Sequence, residues 1–154
     1  MFYRMITNAR DRWFASSECT AQGIIDYILK TNQMRDAQID AIKTYLFLKI
    51  ACGCAPLAKL FSQGAFNTLD LEQEELSAKT RAFLVDHPAA AALFEYSCLK
   101  NEGNEQVSAK LEKQIRKNPE SIDYDSFFRS AFYGVSYTDY LFSLPMGAGK
   151  TYLM

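Results

Sequence analysis

The stretch Leu141-Phe142-Ser143-Leu144-Pro145-Met146-Gly147-Ala148-Gly149-Lys150-Thr151 constrains this chain more than any other. It reads as an apolar strand running into a glycine-containing loop, which a helix must follow. A backbone that wraps a polyphosphate has to come close to it. Glycine at 147 and 149 removes the Cβ atoms that would block this approach, so amide N–H groups can converge on phosphate oxygens. Lys150 adds a point charge suited to the β- and γ-phosphates, and Thr151 a hydroxyl suited to Mg²⁺. The N-terminal dipole of the following helix favours the same anion. Gly147, Ala148, Gly149, Lys150 and Thr151 are therefore the expected ATP-binding residues, with Thr151 the expected Mg²⁺ ligand. The full pattern G-x-x-x-x-G-K-[ST] has one exception here, because Leu144 stands where its first glycine belongs. Chance alone gives the shorter G-x-G-K-[ST] in roughly one chain of this length in a few hundred.

A strand of this kind belongs to a parallel sheet, and hydrolysis needs a second acidic motif for Mg²⁺. Only Tyr152, Leu153 and Met154 follow Thr151. The expectation is thus the N-terminal part of a longer ATPase: a helical region at 1–136, then the first strand and phosphate loop of an α/β domain at 137–154. The fold class expected is mainly α. The segment 137–144, without partner strands, is expected to dock on the helices or to pair with another copy of the chain.

Composition excludes several classes. A net charge of -1 over 154 residues is not that of a nucleic-acid clamp, which usually shows a basic excess. No apolar run approaches the roughly 20 residues of a membrane span. Arg4, Arg10, Asp11 and Arg12 interrupt any signal-peptide core, so a cytoplasmic location and no membrane partner are expected. Cys52-Gly53-Cys54 lacks the spacing of a zinc or redox pair, and Cys19 and Cys98 do not complete one. His87 is the only histidine, and it precedes Pro88 at an expected helix break.

Helical spacing dominates the rest. Phe2 to Thr20 reads as mixed, partly helical or irregular, around Trp13 and Phe14. Ile24, Ile25, Ile28 and Leu29 mark a helix over 21–30. The longest helix is expected over 35–51, largely buried through Ile39, Ile42, Tyr45, Leu46 and Leu48 to Ile50, and ended by Gly53 and Pro56. Further helices are expected over 57–66, 72–85, 89–100, 105–117 and 121–133. Acidic residues after Glu72 suit a helix start. On the 105–117 helix, Val107, Leu111 and Ile115 form an apolar stripe. Lys110, Lys113, Arg116 and Lys117 lie mostly opposite it, a solvated face that would also suit phosphates. Tyr124, Phe127, Phe128, Phe132, Tyr133, Tyr137, Tyr140 and Phe142 are spaced for core packing rather than for base stacking.

The longest helix opens Arg35-Asp36-Ala37-Gln38-Ile39. A primary amide both donates and accepts, which matches the edge of an adenine base. Arg35 with Gln38 three residues on, then apolar residues, resembles the Q motif of superfamily two helicases. The run Leu144 to Thr151 resembles motif I of the same DEAD/DEAH-like family, including the translocating subunits of type I and III restriction enzymes, with Met146 where threonine is more usual. The resemblance implies ATP and Mg²⁺ as cofactors, Arg35 and Gln38 at the adenine, and nucleic acid as partner, DNA in preference to RNA. It covers some twenty residues. In the family the Q motif lies shortly before motif I, whereas here about 55–135 intervenes. Either this segment is an inserted helical module, or Gln38 is not the Q-motif residue. A helical protein-interaction module fused to an unrelated phosphate-loop ATPase is the alternative function.

One consequence is measurable. The 154-residue chain is expected to turn over no ATP and to bind it weakly, because the loop takes its shape from neighbouring strands. Robust hydrolysis by the purified chain, abolished by Lys150→Ala, would contradict this.

Overall fold

The computed structural model describes residues 2–31, 33–99 and 105–132, with backbone alone at 105–107. The element order is α1 (Phe2–Phe14), α2 (Gln22–Thr31), α3 (Asp36–Ile50), α4 (Leu57–Ser62), α5 (Ala78–Asp86), α6 (Pro88–Cys98), α7 (Glu105–Lys117), a 3₁₀ turn (Pro119–Ser121) and α8 (Tyr124–Phe132). The described residues contain no strand, in keeping with a mainly α class. The expected strand and phosphate loop at 137–154 lie outside them. Two compact units emerge, one from residues 2–9 with 56–132, the other from residues 10–55.

The first unit is built on α6. Its sequence, PAAAALFEYSC, is apolar almost all round, which suits a helix enclosed by others. Ala90, Ala92, Leu93 and Phe94 are fully buried, and α4, α5, α7 and α8 all pack against this helix. Alanine keeps the helix thin enough for four neighbours to approach. Pro88 starts it, where a missing N–H costs nothing and the fixed φ favours the first turn. His87 ends α5 and precedes α6. Its Nδ1 lies 2.9 Å from the Phe83 carbonyl oxygen, and its ring stacks on Phe83.

Beside α6 lies a cluster of phenylalanines. The Phe61 ring of α4 is 5.0 Å from Phe2, 4.7 Å from Phe66, 5.5 Å from Phe128 and 5.0 Å from Phe132, centroid to centroid. Phe61, Phe66 and Phe128 are fully buried. The described members of the 124–142 aromatic run are therefore core, as their spacing suggests, and Tyr133, Tyr137, Tyr140 and Phe142 lie outside the described residues.

Within the stretch expected to be partly helical or irregular, residues Phe2–Phe14 form a regular helix. Met5 and Ile6 are buried in the first unit, giving the first turns an apolar anchor that the interspersed charges obscure. The helix expected from Glu72 begins only at Ala78. Ser77 is its N-cap, its hydroxyl accepting from Thr80 N–H at 3.1 Å. Upstream, Asp70 Oδ1 accepts from Glu72 N–H, while Arg81 and Arg116 donate to the carbonyl oxygens of Glu74 and Glu75. Those carbonyls are thereby held in a turn.

In the second unit, α3 is the longest helix described, with 15 residues, and it starts within a residue of Arg35. It ends as expected. Gly53 has φ +59, Cys54 has φ +57, and Cys54 N–H donates to Leu48 O at 3.0 Å, closing the helix with a left-handed cap. Its burial is another matter. Tyr45 and Ile50 are exposed, and the buried row is Gln38, Ala41, Thr44, Phe47 and Leu48. The i, i+3 spacing of that row makes a narrow, half-polar seam where a broad apolar one was expected.

Phe61→Ala should lower unfolding free energy by about 3–5 kcal/mol, whereas the exposed Val85→Ser should change it by under about 0.5 kcal/mol. Denaturant titration followed by helical circular dichroism measures both. Tyr124 supplies a pH test. Its hydroxyl donates to Pro119 O at 2.6 Å, and burial pushes its pKa to about 12. The unfolded tyrosine ionises near pH 10, so the folded state then holds the extra proton, and stability falls as pH rises from about 10 to 12. Tyr124→Phe should flatten that decline while lowering stability at neutral pH.

Candidate functional site

Gly147, Ala148, Gly149, Lys150 and Thr151 lie outside the described residues, as does the 137–144 segment. The described part of the expected nucleotide site is the start of α3. Arg35 has φ -80 and ψ 157, the extended conformation of an N-cap. Its backbone N–H donates to Gln38 Oε1 at 2.8 Å, and the Arg35 carbonyl accepts from Gln38 N–H at 2.9 Å and Ile39 N–H at 3.1 Å. A glutamine at the third helical position, reaching back to the cap residue, is half of a capping box. Asp36 adds a carboxylate in the first turn, where the helix dipole favours it.

Gln38 is only 3% exposed. The sequence suggests either an adenine reader or a surface glutamine, and the side chain is a buried cap. Its carbonyl oxygen has a second lone pair, so capping does not exhaust what the amide can do chemically. A base reaches it only after neighbouring groups withdraw.

On the adjoining face of α3 runs an open groove of about 600 Å³. Phe14, Leu29 and Ile39 supply apolar walls, and Asp36, Asp40 and Lys43 are charged groups beside them. Lys43 Nζ sits 5.7 Å from the Phe14 ring centroid, a cation–π arrangement. Gln38 does not line this groove.

Arg10, also at the groove, is the main charged group that sequence reasoning missed. It is 5% exposed. Its Nη1 lies 2.6 Å from Asp40 Oδ1 and 2.8 Å from Thr44 Oγ1, and its Nε donates to Asp11 Oδ1 at 2.8 Å. Burial alone lowers the pKa of the guanidinium. The hydrogen bonds and charges of Asp11 and Asp40 more than offset this, so it ends above its ordinary value. The arginine is thus a clamp from α1 to the polar seam of α3.

In the first unit, Glu95 is buried on α6 at 3% exposure. Its carboxylate accepts from Thr68 N–H at 2.7 Å, Leu69 N–H at 3.1 Å and Thr68 Oγ1 at 2.5 Å. A lone acid inside an otherwise apolar helix was the signal available in the sequence. Arg116 is likewise engaged, with Nε 2.8 Å from Glu112 Oε1, Nη2 3.0 Å from Glu74 Oε2, and its guanidinium 5.0 Å over the Phe94 ring. Of the four cations singled out on this helix, only Lys110, Lys113 and Lys117 are exposed.

Cys19, Cys52, Cys54 and Cys98 are free thiols, and burial pushes the Cys52 pKa up to about 11. Among the described residues, no group of three or more His, Cys, Asp or Glu is placed to hold a metal. No described helix is long and apolar enough to cross a membrane. Comparison with known proteins finds no matching family model, curated protein or solved structure.

Gln38→Ala should cost about 1 kcal/mol of stability through loss of the cap. Gln38→Glu keeps the acceptor and should lose less. Equal losses from both variants would contradict the capping role.

Proposed function

We propose that the chain forms the ATP-binding front of a DEAD/DEAH-like nucleic-acid helicase or translocase, acting in the cytoplasm and on DNA in preference to RNA. The observation that carries the reading is the run Leu144 to Thr151 behind an apolar segment. The Arg35–Gln38 helix start adds weaker support. The donor set fits Mg²⁺·ATP. Amides of Gly147, Ala148 and Gly149 would surround phosphate oxygens, Lys150 would set its ammonium against the β- and γ-phosphates, and Thr151 would offer its hydroxyl to Mg²⁺. When bound, ATP supplies the phosphoryl group whose transfer to water releases the free energy for movement along a strand.

Arg35 and Gln38 would face the adenine. Because the cap engages Gln38 Oε1 with the Arg35 N–H, base recognition by this amide would compete with the cap. The intervening residues, about 55–135, would then be a helical module set between the two motifs, and the compact first unit is in keeping with such a module.

Saturation-transfer NMR detects weak nucleotide binding and tests the reading. The chain should bind Mg²⁺·ATP in preference to Mg²⁺·GTP, Lys150→Ala should weaken both at least about tenfold, and Gln38→Ala should erase the preference. Equal binding of ATP and GTP, unchanged by Gln38→Ala, favours the unrelated phosphate-loop ATPase. Binding unaffected by Lys150→Ala defeats both readings. An Asp-Glu-x-His or Asp-Glu-x-Asp box encoded after Met154 would separately favour the helicase.

A further inference from the structure

Helix α7 buries one side and turns a uniformly basic side outward. Ile115 is fully buried, Ser108 is buried, and Leu111 is half-buried. At 100° per residue, Lys113 and Lys117 fall within about 60° of Lys110 around the axis, on the side opposite Ile115. All three lysines are exposed. None makes an ion pair among the described residues, whereas three carboxylates nearby are paired elsewhere. Arg116 holds Glu112 and Glu74, and Lys79 holds Glu120 at 3.2 Å. Internal pairing thus leaves three like charges in one row with no carboxylate of α7 between them on that side.

We infer that this row is a contact surface for the phosphodiester backbone of a nucleic-acid strand. The spacing agrees with such a partner. Lys110 to Lys117 spans about 10 Å along the helix, a reach that covers neighbouring phosphates of one strand. Like charges held in a row at helical spacing cost a few tenths of a kcal/mol unless an anion neutralises them. An anionic membrane is the less suitable partner. Helices that lie on membranes flank their basic side with exposed apolar residues, and among the described side chains none of the exposed large apolar ones, from Tyr3 to Val85, belongs to α7. The apolar side of α7 is already spent on the core. The inference deepens the helicase reading, on which its partner class rests, and assigns the contact to the helical module rather than to the nucleotide site.

Fluorescence anisotropy with a labelled 20-nucleotide mixed-sequence single strand, without ATP, tests it on the 154-residue chain. Three phosphate contacts give a log–log salt slope of about -2, so raising salt from about 50 to 200 mM should weaken binding about twentyfold. Lys110→Ala/Lys113→Ala/Lys117→Ala should remove most of that slope and of the affinity. The corresponding triple arginine variant should restore both. These side chains are exposed, so circular dichroism should show unchanged helix content. Lys150→Ala should bind the strand normally, which separates this claim from the nucleotide reading. Absence of binding by the natural chain, an alanine variant that binds equally well, arginine variants that fail to rescue, or stronger binding to phosphatidylserine vesicles than to the strand would each overturn it.

Discussion

The ring of Phe61 is fully buried among phenylalanines from three other segments, namely Phe2 of α1, Phe66 just past α4, and Phe128 and Phe132 of α8. Phe2 also stacks on Tyr96 at 4.4 Å, carrying the cluster onto α6. Each buried ring contributes about 2–3 kcal/mol through lost water contact, and the edge-on and offset geometries add to that. The placement of α7 follows from this cluster through α6, since α7 and α8 pack on that helix. A loose core here would leave the lysine row of α7 with no fixed direction.

Charges inside the protein do a different job. Half-buried Arg116 and buried Arg10 and Glu95 are each tied by several hydrogen bonds, and Arg10 and Glu95 stand where an apolar residue would be less costly to bury. A buried charge of this kind adds little net stability, but losing one partner leaves the other stranded at a cost of several kcal/mol. Their effect is on geometry. Glu95 holds the Thr68–Leu69 loop to α6, Arg116 holds the Glu74–Glu75 turn, and Arg10 joins α1 to α3.

The helices were legible in the sequence where apolar spacing was regular and ended by glycine or proline. The expected 35–51 helix appears as Asp36–Ile50, and 105–117 agrees with α7 throughout. Legibility failed where polar residues take part in burial. Arg4, Arg10, Asp11 and Arg12 left the extent of α1 unmarked, although Met5 and Ile6 anchor it and Arg10 turns inward to Asp40. The acids after Glu72 resembled a helix start by charge alone, yet arginines from α5 and α7 claim their carbonyls. For the site, the sequence marked Arg35 and Gln38 as a meaningful pair. The structure adds that the amide is turned back on the Arg35 N–H and buried. The phosphate loop is an expectation from chemistry alone, and 147–151 fall outside the described residues.

The account stands on Gln38 and the 147–151 loop serving one nucleotide. A ¹⁵N–¹H correlation spectrum of the chain, titrated with Mg²⁺·ATP, follows both groups in a single experiment. The account predicts saturable shifts of the Gly147, Gly149, Lys150 and Thr151 amides, with the Gln38 side-chain NH₂ resonances moving along the same binding curve. Mg²⁺·GTP should move the loop amides and leave the Gln38 resonances in place. Shifts confined to the exposed lysines of α7, with the loop and Gln38 unmoved at saturating nucleotide, would contradict it.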